Sequence, residues 1–364
     1  MKKILILVAV LALLAAACGD DDAGGEESAS ACEVGQVDGD LDFYNWSEYI
    51  EPELITGFEA EYDVKVSETF FDNNEAMLAQ VEAGGAGYDV IVPSDYMVAL
   101  MKEEGLVVPL NKAAIPNLSN LDPDFTNLPF DEDGSVSAAY QWGTTGLGFS
   151  YEMVDDAADL TWAMIYDPDV SAPFAGGISL LNDERETMGT ALRYLGYSIN
   201  TTETSEIEAA GALIAEAKAR VATFDSDQFE DLLVTGETVL AHGYSGDFFA
   251  AFDENDAWED FGYGIPVEGG VAWVDNMAIP VTADAVCTAH TFINWILEAE
   301  NGAALTNFTF YASPNTAAEP FIDPEILEDP AIYPPQDVRD RLEFIADVGD
   351  AATTYADAFS AAKS

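Results

Sequence analysis

Carboxylates and aromatic rings stand side by side where apolar runs of this chain break off. Phe43-Tyr44-Asn45-Trp46-Ser47-Glu48-Tyr49 is a short strand-like run ending in rings, a hydroxyl and an acid. Ser94-Asp95-Tyr96 follows Val90-Ile91-Val92-Pro93, and Tyr244-Ser245-Gly246-Asp247 closes another apolar run. Trp273-Val274-Asp275 sets an acid inside an apolar stretch, and strand alternation turns Trp273 and Asp275 to one face. An acid in that setting is costly to bury unless it is paired or hydrogen-bonded. The chemistry these residues suit is capture of a small organic cation, with carboxylates supplying charge and rings supplying their faces. Plainer readings stand beside it. Glu48 suits a solvated helix start, Asp95 suits a helix N-cap, and Asn182 or Asp183 suits the cap of the helix that Glu184-Arg185-Glu186 opens. Capping by Asp183 does not exclude ligand contact, and Asp183 and Glu186 are three apart on one helical face.

Such residues act together only if a scaffold gathers their strand ends. From Leu41 the pattern alternates: strand Leu41–Trp46, helix Pro52–Glu61, strand Val64–Phe71, helix Asn74–Glu82, strand Tyr88–Pro93 and helix Asp95–Glu104. Strands separated by helices of this length predict parallel βαβ units. Pro116–Gly134 is rich in Pro, Asp and Asn and reads as irregular surface chain. Tyr140–Phe149 reads as a crossing into a second α/β unit, its glycines absorbing hinge torsions. That unit holds strand Ile178–Leu181, helices Asp183–Leu195 and Ser205–Arg220, strands Thr238–Tyr244 and Trp273–Pro280, and then helix Ala285–Ala299. In open α/β sheets ligands bind beyond the carboxyl ends of the strands.

The 364 residues carry 12 Lys and Arg against 68 Asp and Glu, a formal net charge of −56. Nucleic acid is excluded as a partner, since phosphate binding needs clustered Lys and Arg. The charge attracts cations. A surface adapted to high salt would look the same, so charge alone does not identify a cationic ligand. His242 and His290 are the only histidines and CxxC is absent, which leaves zinc and triad chemistry little to work with. No metal or cofactor is expected, and without a nucleophile–base pair or phosphate loop neither is an enzyme. His290 falls within a helical run and suits a surface or packing role. Lys2-Lys3, the apolar Ile4–Leu14 and Ala15-Ala16-Ala17 before Cys18 read as an export signal with a lipidation cysteine. Residues 19–39 have almost nothing to bury and read as a disordered tether. The expectation is a monomer, lipid-anchored on the outer face of the cytoplasmic membrane. An exported compartment permits Cys32 and Cys287 to pair, and the sequence leaves open whether they do.

Taken together, FYNWSEYI, YDVIVPSDY, NDERE with ALRYLGYSINTT, EGGVAWVDNMAIP, FYASPNTAA and IYPPQDVR resemble the bacterial spermidine/putrescine-binding proteins of ABC importers. The resemblance runs from about Leu41 to the end of the chain. It implies an α/β fold of the type II periplasmic-binding-protein kind, with two hinge-linked lobes and a ligand cleft between them. The lobes are expected as 40–145 plus 276–319 and 146–275 plus 320–364. The resemblance implies a polyamine ligand and a permease partner. Trp46, Ser47, Glu48 and Tyr49 would hold one end of the polyamine, with Ser94 and Tyr96 nearby. Glu186, Trp273 and Asp275 would serve the other, with Tyr311 as a ring wall and Asp183 meeting the secondary amine of spermidine. Tyr244 replaces a family Trp. Asp247 matches putrescine binders, and Ile345 stands where spermidine binders often place Gln. Another organic cation or a modified diamine is the alternative ligand, and an enzyme on a similar bilobal fold the remote one.

Overall fold

The computed structural model describes residues 32–84, 87–132 and 134–364. The export signal, Cys18 and the first part of the tether lie outside the described residues. Among the described residues ten strands form one continuous sheet in the order β2-β1-β3-β9-β4-β7-β5-β6, with β10 beside β9 and β8 beside β4. Its two flanks are parallel, as the alternating pattern requires. On one flank β1 (Leu41–Asn45) lies between β2 (Val66–Phe70) and β3 (Val90–Ile91). On the other β5 (Ile178–Leu180) lies between β6 (Val221–Phe224) and β7 (Leu240–Tyr244). The flanks meet through two long antiparallel strands, β4 (Ser137–Ser150) and β9 (Val271–Ala278), paired from Ser137–Ala278 to Thr145–Val271. Two parallel flanks joined by shared strands make the two-lobed fold. Strands β8 (Phe261–Gly264) and β10 (Glu343–Phe344) extend the joint.

Helices cover the flanks. Pro52 opens α1 (Pro52–Tyr62), where its missing N–H costs nothing, and the Glu51 carboxylate accepts from Glu53 N. Next come α2 (Asn74–Glu82), α3 (Asp95–Glu103), α4 (Glu184–Leu195) and α5 (Thr204–Ala217). Then follow α6 (Ser245–Glu254), α7 (Val286–Ile296), α8 (Ala299–Thr309) and α9 (Ala352–Lys363). Phe43, Phe58 and Phe292 are buried at the centre of one core, with ring centroids 5.1 Å apart for Phe43–Phe292 and Phe58–Phe292. Trp162, Tyr166, Leu192 and Tyr355 anchor the other. Truncating such a ring costs roughly 3–5 kcal/mol.

Three expectations change. Residues 32–39 are not free tether. Cys32 is disulfide-bonded to Cys287 with Cα atoms 5.2 Å apart, and the Asp38 carboxylate accepts from Cys287 N and Thr288 N. The glycines of β4 do not relieve torsion, because none of Gly143, Gly146 and Gly148 adopts a positive φ. They clear space for rings: a Cβ at Gly148 would sit 2.3 Å from the Phe248 ring, and one at Gly143 2.7 Å from Trp273. Residues 320–333, expected in the second lobe, dock instead against α8 and β4. Asn307 Nδ2 donates to Phe321 O, and the Tyr333 ring packs edge-on to Trp142. The final crossing therefore comes after Tyr333. Both histidines are packing residues: His290 Nε2 accepts from Asn111 N at 2.9 Å, and His242 is fully buried with its Nδ1 facing Leu181 N.

Candidate functional site

The strand ends of both flanks converge on one cleft enclosing about 880 Å³ of space, part of it open to solvent. Twelve of the residues expected at the site line it: Trp46, Ser47, Tyr49, Ser94, Tyr96, Asp183, Glu186, Tyr244, Asp247, Trp273, Asp275 and Tyr311. Ile345 lines it as well. Glu48 does not. Its backbone is left-handed, φ 55°, which turns the exposed side chain into an adjoining groove with Asp72, Asp227 and Glu230.

Each side chain is positioned by a local device. Trp46 Nε1 donates to Val92 O at 2.9 Å, and its ring leans on Phe71. Tyr49 is buried and its hydroxyl donates to Asp275 Oδ2 at 2.9 Å, so β1 and β9 present one polar unit. Ser94 is clamped by Asn74, whose Nδ2 donates to Ser94 Oγ and whose Oδ1 accepts from Ser94 N, both at 3.0 Å. Asp183 caps α4, one oxygen accepting from Arg185 N and Glu186 N at 2.9 Å each. That turn of helix then aims Glu186 into the cleft. Phe310, left-handed at φ 57°, ends α8 and turns Tyr311 inward. The Tyr311 hydroxyl donates to Asp247 Oδ1 at 2.7 Å. Gly246 admits that ring, since a Cβ there would lie 2.7 Å from it. Tyr311 packs edge-on to Trp273 at 5.0 Å and to Tyr49 at 5.3 Å, and Tyr244 meets Trp273 at 6.1 Å. The result is a ring-walled slot with acids at intervals.

The electrostatics are lopsided. Burial pushes Asp275 and Asp247 up to about 7, even though the Ser94 and Tyr49 hydroxyls beside Asp275 and the Tyr311 hydroxyl on Asp247 favour the ionised form. Burial, then the charge of Asp183, holds Glu186 well above the carboxylate range. Asp183 is also raised by burial, but its helix N–H bonds and Arg185 oppose the shift. Oδ1 of Asp275 and Oε2 of Glu186 are buried with no close, well-aligned hydrogen bond among the described residues, although the Ser94 and Thr145 hydroxyls ease these carboxylates in turn. Among the described residues the ion pairs Lys65–Glu59, Lys102–Asp131 and Arg193–Glu343 all lie away from the cleft. Arg185 lines it, yet its guanidinium donates to Ala346 O, Ile199 O and Asn200 Oδ1 and stacks on Tyr355. Lys363 reaches Asn182 Oδ1 behind α4. So the acids face the slot with no cation among the described residues bonded to them. Such a site is complementary to a ligand that brings its own positive charge and apolar stem.

Sequence reasoning missed several lining residues. Asp95, expected as an N-cap, is the first residue of α3; Ser94 occupies the cap position and Asp95 is only 2% exposed. Asn74, Arg185, Asp72 and Asp227 also line the cleft. The Asn73-Asn74 pair marked only a helix start, and nothing near Asp227 in the chain signals proximity to Asp72.

Residues 53–334 match the bacterial extracellular solute-binding protein family. The chain is 36% identical to the spermidine/putrescine-binding periplasmic protein of Escherichia coli K12, over 86% of this chain and 89% of that one. It is 34% identical to the putrescine/cadaverine-binding protein of Pseudomonas aeruginosa, over 85% and 88%. A solved structure from Listeria monocytogenes, provisionally assigned as a spermidine/putrescine ABC transporter, superposes with a TM-score of 0.83 at 38% identity, covering 90% of this chain and 99% of that one. With the two-lobed fold, the acid-and-ring cleft and these similarities in hand, the chain belongs to the bacterial extracellular solute-binding proteins, in the group of the spermidine/putrescine-binding proteins of ABC importers.

Proposed function

We propose that this chain captures polyamines, spermidine and putrescine, in its cleft outside the cytoplasmic membrane and delivers them to an ABC permease. One observation carries the reading: buried carboxylates line a ring-walled slot, and among the described residues no cation is bonded to them. A polyamine is a row of ammonium groups joined by methylenes, which suits acids at intervals and flat apolar walls between them. Each ring–cation contact contributes roughly 0.5–2 kcal/mol. Tyr49 with Asp275 and Tyr311 with Asp247 form two tyrosine-braced acids for ammonium groups. Trp46, Tyr96, Tyr244 and Trp273 form the walls, and Asp183 meets the secondary amine of a triamine. Ser47 and Ser94 add polar contacts at the Tyr49 side, and Glu48 in the adjoining groove draws cations toward the entrance. The lobes close on the ligand by bending about β4 and β9, a hinge motion of the kind two-lobed binding proteins use. Cys18 carries a lipid that holds a monomer at the membrane. Thermal unfolding with putrescine, cadaverine, spermidine and spermine tests the ligand class, with uncharged diols of the same lengths as controls. Stabilisation by the amines alone is expected, and equal stabilisation by the diols overturns the reading. Cys18→Ala is expected to release the protein from membranes, and unchanged association removes the anchor.

A further inference from the structure

Asp95 is only loosely held by the protein. Oδ1 accepts from Tyr96 N at 2.7 Å, while Oδ2 is buried with no close, well-aligned hydrogen bond among the described residues, although the Val274 N–H also eases the carboxylate charge. The residue is 2% exposed and lines the cleft. Asn74 fixes the preceding residue, its Nδ2 donating to Ser94 Oγ while the Ser94 hydroxyl eases the charge of Asp275, so Ser94 fills the cap position without a cap hydrogen bond and Asp95 begins α3. Ser94 also forms an antiparallel bridge with Asp275, so Asp95 is one residue from the bridged pair. It stands close enough to Asp275 and Glu186 for their like charges to interact with it. Burying an acid there is unfavourable by itself, and the helix N-terminus offsets only part of that.

Among the described residues three oxygens of this cleft are thus buried with no close, well-aligned hydrogen bond: Oδ2 of Asp95, Oε2 of Glu186 and Oδ1 of Asp275. Beyond the bonds already named, the Val274 N–H, Thr145 and Ser94 respectively ease those carboxylates. A primary ammonium carries three N–H donors. Resting on the polyamine reading, we propose that Asp95 is a third ligand-holding carboxylate of the cleft, which with Glu186 and Asp275 takes one terminal primary ammonium by its three N–H groups. The cleft then selects unsubstituted amine ends. A tertiary ammonium keeps the charge but brings one donor, leaving two acids unmet.

The test is a cycle on the full chain, titrating wild type and Asp95→Asn calorimetrically with putrescine and with its N,N,N′,N′-tetramethyl derivative. Any steric clash from the methyl groups is common to both proteins and cancels. Asp95→Asn is expected to weaken putrescine on the order of thirtyfold and the tetramethyl derivative by less than about threefold. Without ligand, the variant is expected to unfold about 2 °C or more above wild type, because a loosely held buried acid has gone. Equal losses for the two ligands, or no loss for either, overturn the inference while leaving polyamine capture intact. A lower unfolding temperature makes Asp95 a structural residue and overturns it too. A wild type that takes up neither putrescine nor spermidine overturns the polyamine reading itself.

Discussion

Two kinds of carboxylate face the cleft, and the contrast explains what the ligand has to supply. Asp275 and Asp247 are each braced by a tyrosine hydroxyl among rings, Asp275 with the Ser94 hydroxyl beside it, and burial holds both near 7. Asp183 is a helix cap: one oxygen takes two backbone N–H groups, and Arg185 and Lys363 lie close enough to ease its charge. The first kind is incomplete without an external cation. The second is largely satisfied by the fold. Function should therefore concentrate at the tyrosine-braced acids, and substitution at Asp183 should register as much in stability as in binding.

Asp275→Asn is the hardest blow to that contrast. It is nearly isosteric, so folding should survive while polyamine affinity falls by roughly 2–5 kcal/mol, measured by calorimetry. Unchanged affinity in the folded variant removes Asp275 from the site. Next comes pH. Asp247 and Asp275 have folded-state values raised well above their unfolded ones, so the folded state holds more protons between about pH 4 and 7. Their ligand-free contribution is neutral below that window and becomes destabilising as pH rises to about 7, after which it stays constant. Binding an ammonium displaces those protons, so affinity should weaken as pH falls below about 7, by up to about tenfold per unit for each proton released. A flat profile from pH 5 to 8 would show that neither acid titrates against the ligand. Tyr311→Phe removes the brace on Asp247 and should weaken binding by about 1–3 kcal/mol, the cost of an unmet buried group. An equal effect of Tyr311→Phe in an Asp247→Asn background breaks the pairing. The smallest binding effect belongs to Asp183→Ala. It should lower stability by about 1 kcal/mol through the lost cap and penalise spermidine more than putrescine. Equal penalties leave Asp183 as a cap alone.

Much of the cleft was legible because strand ends carry their chemistry in contiguous letters. Trp46 to Tyr49, Tyr244 to Asp247 and Trp273 to Asp275 each sit on one strand or its end, where alternation sets the face. Asp95 was misread because Ser and Asp are both good caps, and only the distant Asn74 decides which of the two fills that role. Glu48 opens onto the groove that adjoins the cleft at Ser47 and Asp247, a placement set by a left-handed backbone that has no signature in a non-glycine residue. The glycines of β4 looked like hinge residues. Their partners, Trp273, Tyr263 and Phe248, lie about 100 residues or more away, beyond any local pattern. The docking of residues 32–39 rests on Cys287 and Thr288, again a contact between distant segments.

The central claim is that buried acids of the cleft, not the acidic surface, hold the ligand. Calorimetric titration of the full chain with spermidine at low salt and at about 1 M salt separates the two, since the screening length there is only about 3 Å. Surface attraction is then abolished, whereas pairs inside the cleft are screened far less. The account predicts one saturable site per chain at both salt concentrations, with affinity changed by less than about tenfold. Binding that is present at low salt and gone at high salt would contradict it.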